Sequence, residues 1–311
     1  MRIVIALGGN AMTAPDGGAR VEDQLAAIGA AAEPIADLVL AGHEVLLTHG
    51  NGPQVGNLLR KNELAATVVP PIPLDWCDAS TQATIGVTIL DALDDALGAR
   101  GSDRRTTVLV SRTLVDRDDP GFAHPTKPIG RYLTRDEAEP LIDHGQEFVE
   151  IAGRGWRRVV ASPEPRECLD AAAADTLLAA GYVVVCSGGG GIPTQRTADG
   201  RLEGVEAVID KDLTAALVAG HIGADLLVIA TDVATVIRGY QTPTQQPIGT
   251  LTAPAMRELA AREAFAAGSM GPKVEAITRF AERGGIGVIT SLDRITDAVT
   301  GTAGTRVVPA G

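Results

Sequence analysis

The chain predicts an α/β fold, a three-layer α/β/α sandwich around a mainly parallel sheet, and three observations carry that prediction. Short β-branched runs alternate with Ala/Leu-rich helical stretches from one end to the other. Several runs are continuously apolar rather than alternating, as strands covered on both faces must be. Glycines cluster where those runs end, and in a parallel sheet this is the carboxyl edge, where open α/β folds bind ligands.

The first run, RIVIAL (Arg2 to Leu7), reads as a buried strand. An Ala-rich helix follows from about Val21 to Leu40 and stops at Gly42. HEVLLTH supplies a second strand, and Pro53 after Gly-Asn-Gly is placed to open a helix, where its missing N–H is no loss. Later strands are TTVLVS, GYVVVCS, ADLLVIAT and GIGVITS, with helices after Arg166, after Asp212 and from Pro272. Two segments break the rhythm. Residues from about 116 to 155 carry Pro, Gly, Asp and Arg with little periodicity, and read as an inserted flap. RTADGRLEGVEAV has the turn signals of a hairpin leading into VIDKD. The whole chain, 1–311, is expected to form one domain, and it shows no internal repeat.

With 3% aromatics and 45% hydrophobic residues, the core must be built from Ala, Val, Leu and Ile. A formal net charge of −12 argues against a nucleic-acid or anionic-membrane surface, because phosphates demand a basic footprint. No apolar run approaches the roughly 20 residues of a spanning helix, and the first strand is too short for a secretory leader. Cys77, Cys168 and Cys186 are widely spaced, without metal-ligand spacing. A reducing cytoplasmic compartment and no protein-held metal cluster are the expectations.

Three glycine loops fall at strand ends: Gly8, Gly9 and Asn10 in ALGGNA; Gly50, Asn51 and Gly52 in THGNGPQ; Gly189 and Gly190 in CSGGGGIP. Glycine admits close backbone approach, and the helices that follow offer aligned N–H groups to anions. None of the loops matches GxGxxG or GxxxxGK[ST], so neither a dinucleotide fold nor a P-loop is supported. The cations add direction. Only four lysines occur against 23 arginines. Lys211 stands beside Asp212 at a helix start, Lys273 follows GSMGP at another, and Lys127 lies in the flap. Arg is a planar fork, whereas Lys is a point charge on a flexible stem that can follow a moving phosphoryl group. Phosphoryl transfer needs such charge spread over donor, transferred group and acceptor. Lys61 looks like an ordinary surface charge. TDV, with Asp232, would hold a ribose or base edge or cap the next turn, and Trp76, Asp78, Ser80, Thr81 and Gln82 read first as helix capping and second as a subunit or acceptor contact.

ALGGNA, HGNGPQVG, DASTQATIG, KPIGR, GRGWRRVVASPEP, SGGGGIP, AVIDKDLTAALVA, TDV and GSMGPKVEA, in this order over nearly the whole chain, resemble the carbamate kinases of the amino-acid-kinase family. The resemblance implies reversible phosphoryl transfer between ATP and carbamate to give ADP and carbamoyl phosphate, with Mg²⁺, used at the end of arginine or ureido-compound breakdown. It implies a homodimer, an acceptor lobe over about 1–210 and a nucleotide lobe over about 211–311. Lys211 and Lys273 would stabilise the transferring group, Asp212 would organise them, and Lys127 would reach the acceptor. The glycine loops would hold phosphoryl and carbamate, while Asp232, Tyr240 and Met270 would line the nucleotide site. After TDV the family's aromatic is Ile237, and its Asn, Gly and Lys are Gly239, Gln241 and Thr242, so an altered nucleotide pocket is expected. Two alternatives stand beside this: a related kinase for another small carboxylate, and a catalytically silent nucleotide-binding regulator.

Overall fold

The computed structural model describes residues 1–9, 20–52, 54–143, 145–263, 265 and 269–311. Eight strands make the principal sheet: β1 (Arg2–Leu7), β2 (Glu44–His49), β3 (Thr106–Val108), β4 (Val183–Val185), β5 (Leu226–Thr231), β6 (Thr250–Thr252), β7 (Ile286–Ser291) and β8 (Thr305–Val308). Their spatial order is β6-β8-β7-β5-β1-β2-β4-β3. All neighbouring pairs are parallel except β7 and β8. Strands from before residue 210 therefore form one half of the sheet and strands after it the other, and β1 meets β5 at the junction.

The unbroken apolar runs are explained by what covers them. In β1, Ile3, Ile5 and Leu7 enter a core with the helices α1 (Val21–Leu40) and α3 (Leu74–Ala99). Val4 and Ala6, pointing the other way, enter a second core with α4 (Lys211–His221) and α5 (Met270–Glu282). Successive side chains on a strand alternate faces, so both parities must be apolar. The second core is rich in alanine, with Ala215, Ala219, Ala276 and Ala281 fully covered; small side chains let α4 and α5 pack closely beneath the sheet. The strands β3 and β4 are shorter than their apolar runs. Beyond them the chain turns away to build the loops around Ser111 and Ser187, which belong to the site described below.

Among the described residues three smaller sheets stand apart, the shortest pairing Ile237–Arg238 with Gln246–Pro247. Another has the order Leu202–Gly204, Ile192–Arg196, Arg112–Val115, Pro165–Cys168; its first two strands are the hairpin expected in RTADGRLEG. The flap is a three-stranded antiparallel sheet with Gly155–Val160 between Lys127–Leu133 and Phe148–Ile151. It extends beyond the expected end at 155, because Val159 and Val160 pair back on Pro128 and Lys127. The helix expected to open at Pro53, a position outside the described residues, is α2 (Gln54–Ala65). It packs under the flap, where a Cβ on Gly56 would stand 2.4 Å from the Gly130 Cα.

Helix propensity alone would make Gly56→Ala stabilising by about 1 kcal/mol. The backbone contact reverses the sign, since overpacking costs about 1–3 kcal/mol. Thermal melts should show Gly56→Ala to be the less stable protein; a gain would mean that the flap does not rest on α2 in solution.

Candidate active site

The loops after β1, β2 and β4, the starts of α4 and α5, and the flap converge on a cavity of about 610 Å³ at the carboxyl edge of the central strands. Asp210 builds the first of these walls. It sits in extended conformation before α4, and its Oδ1 accepts from the Asp212 and Leu213 N–H groups at 3.0 and 3.4 Å. The helix therefore starts at Lys211 with its N-terminal dipole directed at the cavity. From the facing side Met270–Glu282 brings Lys273.

Asp212 joins the two. The Lys211 Nζ donates to its Oδ1, and the Lys273 Nζ donates to its Oδ2 at 2.7 Å. Its side chain is 4% exposed. Burial alone would raise this carboxyl, but the two ammonium groups outweigh burial and hold it down at about 2. Burial likewise lowers Lys211, against the pull of Asp212. The cluster thus carries one buried anion between two cations and one net positive charge. Lys127, at the first residue of the flap, donates to Asp210 Oδ2 at 2.8 Å, so the cap residue of α4 is also the flap's anchor.

The loop Ser187–Gly191 needs glycine for space as well as for backbone angle. Gly189, Gly190 and Gly191 all have positive φ, and a Cβ on each would stand 2.1 Å from Asn51 Oδ1, 2.7 Å from the Ile209 carbonyl and 2.0 Å from Thr113 Oγ1. Buried hydroxyls fasten this loop. Thr113 and Thr214 donate to the Gly190 carbonyl at 2.8 and 3.0 Å, and Thr48 donates to the Ser187 carbonyl at 2.8 Å.

The segment DASTQ does not cap α3, contrary to the capping expected of it. The residue before the helix is Pro73 and no side chain caps it. One turn in, Asp78, Thr81 and Gln82 are buried. Asn51 Nδ2 donates to Asp78 at 2.7 Å, Thr81 donates to Asn51 Oδ1 at 3.0 Å, and Gln82 clasps the Ser111 backbone from both sides. These polar groups position the glycine loops. Burial pushes the Asp78 carboxyl well up, with the Asn51 hydrogen bond opposing.

Of the residues singled out by sequence, Gly9, Gly50, Asn51, Gly52, Gly189, Lys127, Lys211, Asp212 and Lys273 line the cavity. Gly8 and Gly190 stand behind it. The Gly8 N–H donates to the Ala230 carbonyl at 2.9 Å, tying β1 to β5. Asn10 lies outside the described residues. Asp232, Tyr240 and Met270 are not in the cavity wall: Asp232 follows β5 and accepts from Thr231 at 3.0 Å, Tyr240 is 69% exposed, and Met270 begins α5. Sequence reasoning assigned no role to Asp210, Tyr132, Arg154 or Arg157, which line the cavity. The Asp that precedes an apolar helical run in VIDKD was a legible cap signal; the flap arginines had none, because only folding sets them against Tyr132.

His49 ends β2, fully buried. Its Nδ1–H donates to the Gly50 carbonyl at 2.9 Å, and its Nε2 has no partner among the described residues. Burial, opposed by the Gly50 carbonyl and aided by the Lys211 charge, lowers its pKa from 6.5 to about 4. Between those values the unfolded chain takes up a proton that the folded one refuses, so stability is full above about 6.5 and falls with pH until about 4. The loss amounts to about 3 kcal/mol. Urea unfolding of wild type and His49→Gln at both ends of this window should show the extra loss in wild type alone; equal losses would rule out a neutral buried imidazole.

The chain matches known proteins along nearly its whole length. The model of the amino acid kinase family matches residues 1–290. The chain is 42% identical over 312 residues to the carbamate kinase of Thermococcus kodakarensis, covering 99% of both. It is 42% identical to a carbamate kinase-like protein of Escherichia coli, over 98% of both. It superimposes on the carbamate kinase of Giardia lamblia bound to AMP-PNP with a TM-score of 0.93 at 39% identity, over 99% of this chain and 98% of that one.

Proposed function

The chain belongs to the amino acid kinase family and, within it, to the carbamate kinases, and from that premise we propose that it transfers a phosphoryl group reversibly between ATP and carbamate, giving ADP and carbamoyl phosphate. The observation that carries the proposal is the Asp212 bridge between Lys211 and Lys273 at two facing helix N-termini.

In-line transfer asks little covalent chemistry of a protein and much charge placement. The leaving oxygen, the equatorial oxygens and the attacking oxygen all carry negative charge. Lys211 and Lys273, fixed through one carboxylate, supply two ammonium groups to that array, and each keeps donors not used by Asp212. The glycine loops after β1, β2 and β4 add backbone N–H groups without side chains to block approach. Residues of about 1–210, with the flap, would hold carbamate. Residues of about 211–311 would hold the nucleotide, with Asp232, Tyr240 and Met270 outside the main cavity along its route. Lys127 would act on the acceptor by closing the flap through Asp210.

Among the described residues no cluster of three or more His, Cys, Asp or Glu could cage a metal, and both cavity carboxylates are engaged by lysines. Mg²⁺ fits this site as an ion carried by the nucleotide phosphates, whose charge it would neutralise. A homodimer accords with α3, whose outer stripe of Trp76, Ala83 and Val87 exposes Trp76 by 63% and Val87 by 51%. Among the described residues no helix is long and apolar enough to cross a membrane.

Purified protein given ADP, carbamoyl phosphate and Mg²⁺ should form ATP, and absence of turnover would overturn the proposal. Lys211→Arg and Lys273→Arg should each cut kcat by about 100-fold or more with unchanged melting curves, because a fork cannot replace a point charge held by one carboxylate oxygen. Lys61→Arg is the silent control. Light scattering on Trp76→Asp/Val87→Asp should report a monomer where wild type is a dimer; an unchanged mass would move the interface elsewhere.

A further inference from the structure

The flap presents two cations to which the transfer reaction assigns no role. Five arginines lie between residues 131 and 158. Three are paired with carboxylates: Arg131 with Glu137, Arg135 with Glu139 and Arg158 with Glu63. Arg154 and Arg157 are not. Among the described residues neither has a carboxylate within ion-pair distance, yet both line the cavity that holds Lys211 and Lys273. The three cavity lysines are largely offset by Asp210 and Asp212, so much of the cavity's uncompensated positive charge sits on the flap.

Their placement is fixed by Tyr132. The Arg154 guanidinium lies 5.5 Å from the ring centroid and that of Arg157 lies 5.2 Å from it. Arg154 Nη1 donates to the Tyr132 hydroxyl at 3.1 Å, and Arg157 Nε donates to the Gly130 carbonyl at 3.2 Å. The turn beneath Arg154 is closed by its N–H donating to the Ile151 carbonyl at 2.9 Å, with Gly153 and Gly155 both at positive φ. Each guanidinium has five N–H donors and, among the described residues, uses one, leaving two ordered forks with free donors beside the cavity. Such forks match the oxygens of a phosphate, which a single ammonium does not.

We propose that Arg154 and Arg157, ordered by Tyr132, are the specificity-determining residues that bind the dianionic phosphate of the acyl phosphate substrate when it enters, ahead of transfer between the lysines. This rests on the proposed carbamate kinase reaction. Carbamate itself bears a single charge and gains less from two forks, so the pair acts chiefly on the acyl phosphate. Tyr132 is a positioning residue: it touches the arginines rather than the substrate.

Steady-state kinetics in the ATP-forming direction test it. Arg154→Gln and Arg157→Gln should each raise the KM for carbamoyl phosphate about tenfold and the double variant further, with kcat and the KM for ADP within about threefold of wild type. Tyr132→Phe, which keeps the ring and loses the Arg154 bond, should show a smaller rise, and Arg157→Lys should recover only part of the affinity. An unchanged KM for carbamoyl phosphate, or a parallel rise in the KM for ADP, overturns the inference. Calorimetry with inorganic phosphate separates it from its premise. Phosphate binding that is weakened in the double arginine variant sustains anion capture by the flap even if wild type forms no ATP, and binding equal in both proteins refutes it.

Discussion

The arrangement depends on one buried carboxylate. Asp212 would be costly by itself at 4% exposure, and two ammonium groups at one place would repel. Each fault cures the other. The result is a cluster whose geometry is fixed on both sides, because Lys211 and Lys273 lie in the first turns of different helices and α4 and α5 pack together under the same sheet. A buried ion pair is weak evidence for stability, since its desolvation cost rivals its attraction. Here its value lies in placement: it holds two point charges at the ends of two helix dipoles.

The same double use governs the flap. Asp210 engages both of its oxygens, capping α4 through Oδ1 and receiving Lys127 through Oδ2. Moving the flap therefore touches the first turn of the helix that carries Lys211 and Asp212. The alanine-rich core serves this linkage indirectly. Close helix packing leaves little room for α4 to shift, so strain applied at its cap falls on the side chains of the first turn rather than on the helix as a whole. Behind the opposite wall, Asp78, Thr81, Gln82, Thr113 and Thr214 immobilise the glycine loops. The loops that carry Asn51 and Gly190 are thus firmly bonded on the side away from the ligand.

The sheet was legible because its physics is local. A strand buried on both faces must be apolar on both parities, and the runs within Arg2–Leu7, Leu226–Thr231 and Ile286–Ser291 announce themselves in that way. The glycine loops and lysines were legible as chemistry, since few structural needs place Lys beside Asp at a helix start in an arginine-rich chain. DASTQ misled for a definable reason. Short polar residues near a helix start have two uses, capping and buried positioning, and only tertiary contact with Asn51 and Ser111 decides between them. Tyr240 and Met270 came from family resemblance, and Asp232 also from its place at a strand end; the three lie outside the cavity wall, in or beside segments where this chain departs from the family pattern or lies outside the described residues.

The contrast between the two kinds of cation resolves along the same line. A lysine that must hold a carboxylate and also contact a group in transit needs donors that rotate about one atom, and both lysines beside Asp212 meet that need. An arginine gives up orientational freedom to gain a second parallel hydrogen bond, which suits a phosphate at rest. In a chain of net charge −12 the cavity wall carries five cations and two carboxylates. The cations divide by role, since the three lysines each meet a carboxylate and the two arginines do not. An anion entering such a cavity meets the unpaired forks of the flap and the partly neutralised lysines as separate stations. Capture can then be strong without making the transfer position a trap, because the lysine cluster retains only one net charge until the phosphoryl group arrives to share it.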